Sequence, residues 1–502
     1  MLTPRRLIAL SLFSLVVLSS RGQPAAAETG TEGITLDDAI QRALAKNFAI
    51  KVTGYDAAIA SARLTESLGK FDPVLSGSYT YSESFNPALA DPVTGVRAAP
   101  SYTKTDDYDA GLAGVFPWGM TYRLGTSTTN TRGTFNSYAD KFSTFAGVSG
   151  TQPLLRNFGF GPTLASIRIA QANRGISQWA FRQAVMDTVT SVIFAYHDLN
   201  FAHANLRSAI RSRELALGLL AENEKRFKFG SMSEFDVISA RSRVASRAEG
   251  ILAAERQVRE TENALKQLIS DDHTPALLGR HLTVEPPPPA PVVVVDAAAD
   301  FRTALDQRPD YQQAKLSLTR ADINTRLQRN QLLPRVDLVG SYGYNGYDTD
   351  LRTSRQQLRN EDYHSYSWGV VVSVPLTFTT ERGRYRAARL QERQAQTDLE
   401  RIEQSIVVRV GNAAGQIDTT QQRVQVTRHA RELAQATLDA EVKRLRAGQS
   451  STFFVSQQQE TLTGAEVRES FAQADYAKAL AEYDRQLGVT LAKLNINIDP
   501  PK

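Results

Sequence analysis

The chain has 502 residues, with 58 Lys and Arg against 53 Asp and Glu, a formal charge of +5 and no cysteine. That length exceeds one ordinary compact domain, and the absence of cysteine excludes disulfides, thiolate metal sites and a lipid-anchored N-terminal Cys. The charges are mixed in sign along the chain, so the basic balance is no argument for nucleic acid.

At the N-terminus Arg5 and Arg6 precede an apolar run over residues 7–18, and Ala25, Ala26 and Ala27 follow. A basic start, a short apolar stretch and small residues predict a secretory signal over 1–27, with Glu28 as the first mature residue. Removing Arg5, Arg6 and Arg21 takes the charge from +5 to +2. No later stretch reaches the roughly 18 apolar residues of a membrane helix. A mature chain that crosses a membrane must then do so as a closed β-barrel, because lipid offers backbone groups no other partners.

Leu36, Ala39, Ile40, Ala43 and Leu44 make one apolar helical face. The helix is expected to run to about Lys70 and to stop at Asp72-Pro73, since the residue before proline avoids α geometry. The period then switches to two: Leu75, Gly77, Tyr79 and Tyr81 alternate with Ser76, Ser78, Thr80 and Ser82, a half-buried strand. Two further alternating stretches, 108–116 and 121–128, flank a Pro117-Trp118-Gly119 turn. From Thr163 to about Phe227 there is no proline, and the seam Val185, Val189, Val192, Tyr196, Leu199, Leu206, Ile210, Leu217, Leu220 is heptad-like. This predicts a helix of about 65 residues, close to 100 Å long, packed side by side with others. It ends at Gly230, where the chain turns back into a return helix to about Ile269.

The same plan is then repeated. Ala43, Leu44, Pro73 and Tyr81 recur as Ala304, Leu305, Pro334 and Tyr342 at a constant offset of 261, and Gly230 and Val237 recur as Gly448 and Val455 at 218. Strands follow Pro334 (Val336, Leu338, Gly340, Tyr342, Tyr344) and precede Pro375 (Trp368, Val370, Val372, Val374), and a second long helix spans 385–446. Its return helix runs to about Val489. The expected divisions are a first repeat over 28–284, a Pro-rich linker over 285–297, a second repeat over 298–494 and a tail over 495–502. A duplication of this length implies that neither half buries its surfaces alone.

Pro73 to Pro153 spans 80 residues, whereas Pro334 to Pro375 spans 41. The first half therefore carries 39 extra residues, which either add strands or form an external hairpin. Each chain holds four strands, or six with that hairpin, fewer than the roughly eight that close an outer-membrane barrel. Closure needs several chains, and three with four strands each would give twelve. The expected fold class is mostly α with membrane β: a duplicated unit of long coiled-coil-like helices and β-hairpins, making a trimeric α-barrel under a shared β-barrel.

The order ITLDDAIQRALAKN and FRTALDQRPDYQQAK, the Asp72-Pro73 and Leu333-Pro334 junctions, VSVPLTF, and the tips KFGSMSEFDVISARS and RAGQSSTFFVSQQQE resembles the TolC-like outer membrane factors along nearly the whole mature chain. The resemblance implies a homotrimeric outer-membrane channel of a tripartite efflux or type I secretion system, in the outer membrane and extending into the periplasm. It would dock on a periplasmic adaptor and an inner-membrane pump and would use no cofactor, metal or catalytic residue. It also places the channel gate at the tips. Asp236 matches the family's acidic position, although Ser233 and Asp236 also read as a capping box. Phe454 and Gln457 stand where some members carry aspartates, and Ser450 where an arginine can occur. Phe453 or Phe454 then either forms an apolar constriction or packs between helices.

Tyr79, Tyr81, Tyr342, Tyr344 and Trp368 suit an aromatic girdle at the lipid boundary. His197 and His203 lie six apart, off metal spacing, and His203 falls on the heptad seam. Adjacent acids such as Asp106-Asp107 point apart on a strand, and no nucleophile motif or phosphate loop supports an enzyme. The competing reading is a periplasmic coiled-coil adaptor or tether, which would not need alternating, Tyr-rich strands in both halves.

Overall fold

The structure is a computed structural model that describes residues 31–498 apart from 89, 98, 289, 294 and 295. The expected signal at 1–27 lies outside the described residues, as does part of the Pro-rich linker.

The first half runs β1 (Thr31–Ile34), α1 (Leu36–Lys46), α2 (Phe48–Leu68), β2 (Val74–Asn86), β3 (Ser101–Val115), β4 (Thr121–Gly133), β5 (Phe142–Pro153), α3 (Phe160–Thr163), α4 (Ala165–Lys228), α5 (Glu234–Ile269) and β6 (His281–Val284). The second half runs α6 (Ala297–Gln307), α7 (Pro309–Asn330), β7 (Arg335–Asp348), α8 (Leu351–Asn360), β8 (Tyr363–Ser373), α9 (Thr379–Arg446), α10 (Thr452–Leu487) and α11 (Thr490–Lys493).

The first helix is not continuous to Lys70, as expected, but is cut at Asn47. The Asn47 side-chain carbonyl accepts from the Ala49 N–H at 2.8 Å, capping α2, and its amide donates to the Leu268 carbonyl at 2.9 Å. In the second half Pro309 makes the equivalent break between α6 and α7. The helix α9 starts at Thr379, six residues before the predicted Tyr385.

The two long helices have 64 and 68 residues, about 100 Å each at 1.5 Å per residue. Val185, Val189, Val192, Tyr196 and Leu199 of α4 are fully buried, as their spacing predicted. They sit among residues of α1, α2, α5 and, from the other half, α10 and α11. The parallel pair β1–β6 closes over this core. The Tyr196 hydroxyl donates to the carbonyls of Ile34 (3.2 Å) and Glu285 (2.7 Å), tying helix, strand pair and linker together. The second half repeats the arrangement with Ile406, Val410, Ala413 and Ile417 against Tyr476 and Tyr483. Ion pairs Arg485–Asp187 (3.0 Å) and Lys478–Asp198 (2.7 Å) join α10 to α4 across the duplication.

The six long strands form one antiparallel meander in the order β2-β3-β4-β5-β7-β8. The 39 extra residues of the first half thus enter the same sheet as its neighbours, and do not hang outside it. Strands of 11 to 15 residues exceed the roughly 9–11 needed to cross a bilayer core. Among the described residues no helix is long and apolar enough to do so.

Candidate functional site

Strand geometry sends successive side chains to opposite faces, and the observed register extends that alternation across the whole sheet. One row runs Leu75, Leu112, Leu124, Val148, Tyr342, Tyr366, and the row beside it, on the opposite face, runs Ser76, Gly111, Gly125, Gly147, Gly343, Ser365. One face is apolar and aromatic. The other is small and polar.

Tyr79, Tyr81, Tyr342, Tyr344 and Trp368, the predicted girdle, all lie on the apolar face. Tyr79 stacks on Tyr108 at 4.9 Å, and Tyr342 meets Tyr344 edge-on at 5.8 Å. Toward the strand ends away from the long helices the same face turns charged: Lys104–Glu83 at 3.2 Å and Arg132–Asp106 at 2.6 Å. An apolar belt bounded by a charged rim is the profile of a surface that faces lipid in its middle and water at its end.

The polar face explains its glycines. Arg123 lies across the wall to pair with Asp109, and a Cβ on Gly111 would sit 3.1 Å from the guanidinium. Phe145 lies flat in the same way: a Cβ on Gly147 or Gly343 would come within 2.6 Å of its ring. The edges are open. Among the described residues the outer edge of β2 and the outer edge of β8 have no partner strand, although an exposed strand edge is a ready template for pairing with another chain.

At the opposite end of the molecule the two helical turns lie side by side, since Arg243 of α5 stacks on the Phe453 ring at 5.1 Å and Arg247 pairs with Glu460 at 3.4 Å. Gly230 (φ +73°) and Gly448 (φ +74°) make the turns in the left-handed region, where a side chain is strained. Asp236 is engaged in its own cap: its carboxylate accepts from the Ser233 hydroxyl at 2.6 Å, and its N–H donates back at 3.2 Å. Ser450 donates to Glu441, which also pairs with Arg444 at 3.2 Å. Gln457 is exposed.

Phe453 and Phe454 are 55% and 51% exposed and touch each other edge-on at 5.6 Å, while the residue buried between the helices here is Val455. Sequence reasoning passed over two further aromatics. Phe229 and Phe235, flanking the Gly230 turn, are 86% and 76% exposed. Their signal was present in KFGSMSEF, an aromatic on each side of a polar turn. Of the two histidines, His197 is buried and His203 on the heptad seam is partly buried. Burial holds the His197 imidazole down at about 4, with Lys478 lowering it further and Asp198 opposing.

The chain matches the outer membrane efflux protein family over residues 106–270 and 301–489. It is 23% identical over 310 residues to the outer membrane efflux protein BepC of Brucella suis, covering 60% of this chain and 63% of that one. It is 24% identical over 342 residues to the pyoverdine export outer membrane protein OpmQ of Pseudomonas putida, covering 65% of each. The chain thus spans just under two thirds of the length of these relatives. The crystal structure of the CmeC outer membrane channel of Campylobacter jejuni superposes with a TM-score of 0.66 at 17% identity, covering 91% of this chain and 86% of that one. The duplicated long-helix hairpins and the two-faced sheet accordingly have a family, and the chain belongs to the outer membrane efflux proteins.

Proposed function

We propose that this chain is the outer-membrane channel of an export system, assembled as a homotrimer whose sheets close a barrel in the outer membrane and whose long helices form a tube through the periplasm. The observation that carries this reading is the sheet with one apolar and one polar face and two unpaired edges, set on helices of about 100 Å. Such a sheet is unstable in lipid unless its edges are closed. Five successive antiparallel pairings make β2 and β8 run in opposite directions. The β8 of one chain therefore continues the antiparallel pattern onto the β2 of the next, and a ring closes without a mismatch.

In this reading residues 28–284 and 298–494 are the two repeats, joined by the linker 285–297, and the helical turns face a periplasmic adaptor beneath which an inner-membrane pump supplies cargo. The chain performs no chemistry and carries no cofactor. The name of OpmQ records pyoverdine export, and a small exported molecule is the cargo class this favours. The girdle residues Tyr79, Tyr81, Tyr342, Tyr344 and Trp368 anchor the wall at the lipid boundary. At the tips the exposed phenylalanines supply an apolar constriction, while Asp236, Ser450 and Gln457 serve the turns.

Membrane fractionation followed by planar-bilayer recording tests the reading. The protein should leave with outer membranes and give single-channel steps, and Phe454→Asp should raise the closed-state leak several-fold. Release into the soluble periplasmic fraction, with no conductance, would return the chain to the tether reading.

A further inference from the structure

The 39 residues that the first half has and the second lacks invite the reading of a surface ornament, but three observations speak against it. β3 and β4 lie between β2 and β5, so removing them would leave β2 without its present neighbour and β5 paired with β7 alone. Their alternation is in phase with the rest: Leu112 and Leu124 continue the apolar row, while Gly111 and Gly125 continue the row of small residues on the polar face. The second half is built to receive them as well, because Arg355, Leu358 and Arg359 of α8 reach across to border a cavity with Tyr108, Ala110, Thr126 and Thr128.

We propose that this inserted hairpin is barrel wall, so that three chains close eighteen strands, six from each, around a lumen wide enough for bulky hydrated cargo. The inference rests on the channel reading above and deepens it. Barrel diameter grows roughly linearly with strand number, so eighteen strands give about one and a half times the width of twelve at equal tilt. With strands ~4.8 Å apart and tilted ~40°, the backbone ring is roughly 35 Å across. The inserted strands also set the chemistry of that lumen. Their polar face presents Thr105, Asp107, Asp109, Arg123, Ser127 and Thr129, with Asp107 accepting from Thr129 at 2.6 Å and Asp109 paired to Arg123. This part of the lining is polar, with two acids against one base and no aromatics, suited to letting a hydrated solute pass and not to gripping it.

The absence of cysteine makes a labelling test free of background. Single variants Thr105→Cys and Ser127→Cys on the polar face, and Leu112→Cys and Leu124→Cys on the apolar face, are treated in intact outer membranes with a charged maleimide. Ser341→Cys and Leu338→Cys on β7 serve as the same pair outside the insertion. The proposal expects both polar-face positions of the hairpin to react about tenfold faster or more than both apolar-face positions, as on β7. Equal reactivity of all four hairpin positions, with β7 still alternating, would overturn the eighteen-strand wall and leave the channel reading standing. Loss of alternation on β7 as well would overturn the channel reading itself. Width is read separately by adding polyethylene glycols of graded size on the side of the β2–β3 loop during bilayer recording. Entry of polymers about 20 Å across, seen as a drop in conductance, fits the wide wall, and their exclusion contradicts it.

Discussion

The upper and lower parts of α4 carry the same heptad-like spacing but meet different fates. From Val185 to Leu199 the seam is buried within its own chain, packed by helices of both halves and locked by the Tyr196 hydroxyl. From Ile210 to Phe229 the same helix leaves Ile210, Leu215, Leu217, Phe227 and Phe229 exposed. Its return helix α5 does likewise with Phe235, Ile238 and Leu252. Periodicity therefore reports that a surface is apolar, not whose surface covers it. The upper segment is covered within its own chain, and the lower one is left apolar and exposed, which the trimer proposed above would cover with neighbouring chains.

This contrast can be broken most severely at its upper end. Val192→Asp places an unpaired carboxylate in the core and should abolish accumulation of folded protein, whereas Leu217→Asp should fold as a chain and fail to assemble; native electrophoresis beside a protease-resistance assay separates the two. Val192→Ala should cost about 2–3 kcal/mol in thermal unfolding, and Leu217→Ala well under 1.

The buried end should also carry an acid sensitivity that the exposed end lacks. His197 is held at about 4 against 6.5 by burial, so its folded value lies below its unfolded one. The unfolded chain then binds more protons between these limits. Stability is full above pH 6.5, falls as the pH drops, and levels off below about 4, a loss of at most about 3 kcal/mol. Melting curves over this range should flatten in His197→Gln.

Smaller effects sharpen the lower end. Gly448→Ala meets open space but keeps φ +74°, and should cost about 1 kcal/mol through backbone strain alone. Ser233→Ala removes the cap that binds Asp236 and should cost about 1 kcal/mol or less at this exposed turn. Hydrogen exchange at residues 230–240 should report both without change in the α4 core.

How much of this was legible follows from the same physics. The long helices, their glycine turns and the aromatic face were readable because each is a local period. The helix break at Asn47 was not, because it depends on a carbonyl 221 residues away, whereas Pro309 announces its twin. The pair β1–β6 has four residues per strand, too few to show a period, and α8 has only Leu351 and Leu358 to mark a face. That the extra hairpin shares one sheet is a matter of non-local register, which alternation permits and pairing alone decides. At the tips, the resemblance points to Phe454, which stands where some family members carry an aspartate, and to its neighbour Phe453, whereas Phe229 and Phe235 lie in a stretch that reads as a turn and a cap.

The most direct test of the claim that this chain completes its wall with copies of itself is the mass of the detergent-extracted protein, by light scattering with the detergent contribution subtracted. The account predicts a single species of three chains. A monodisperse monomer, with the edges of β2 and β8 left unpaired in a stable particle, would contradict it.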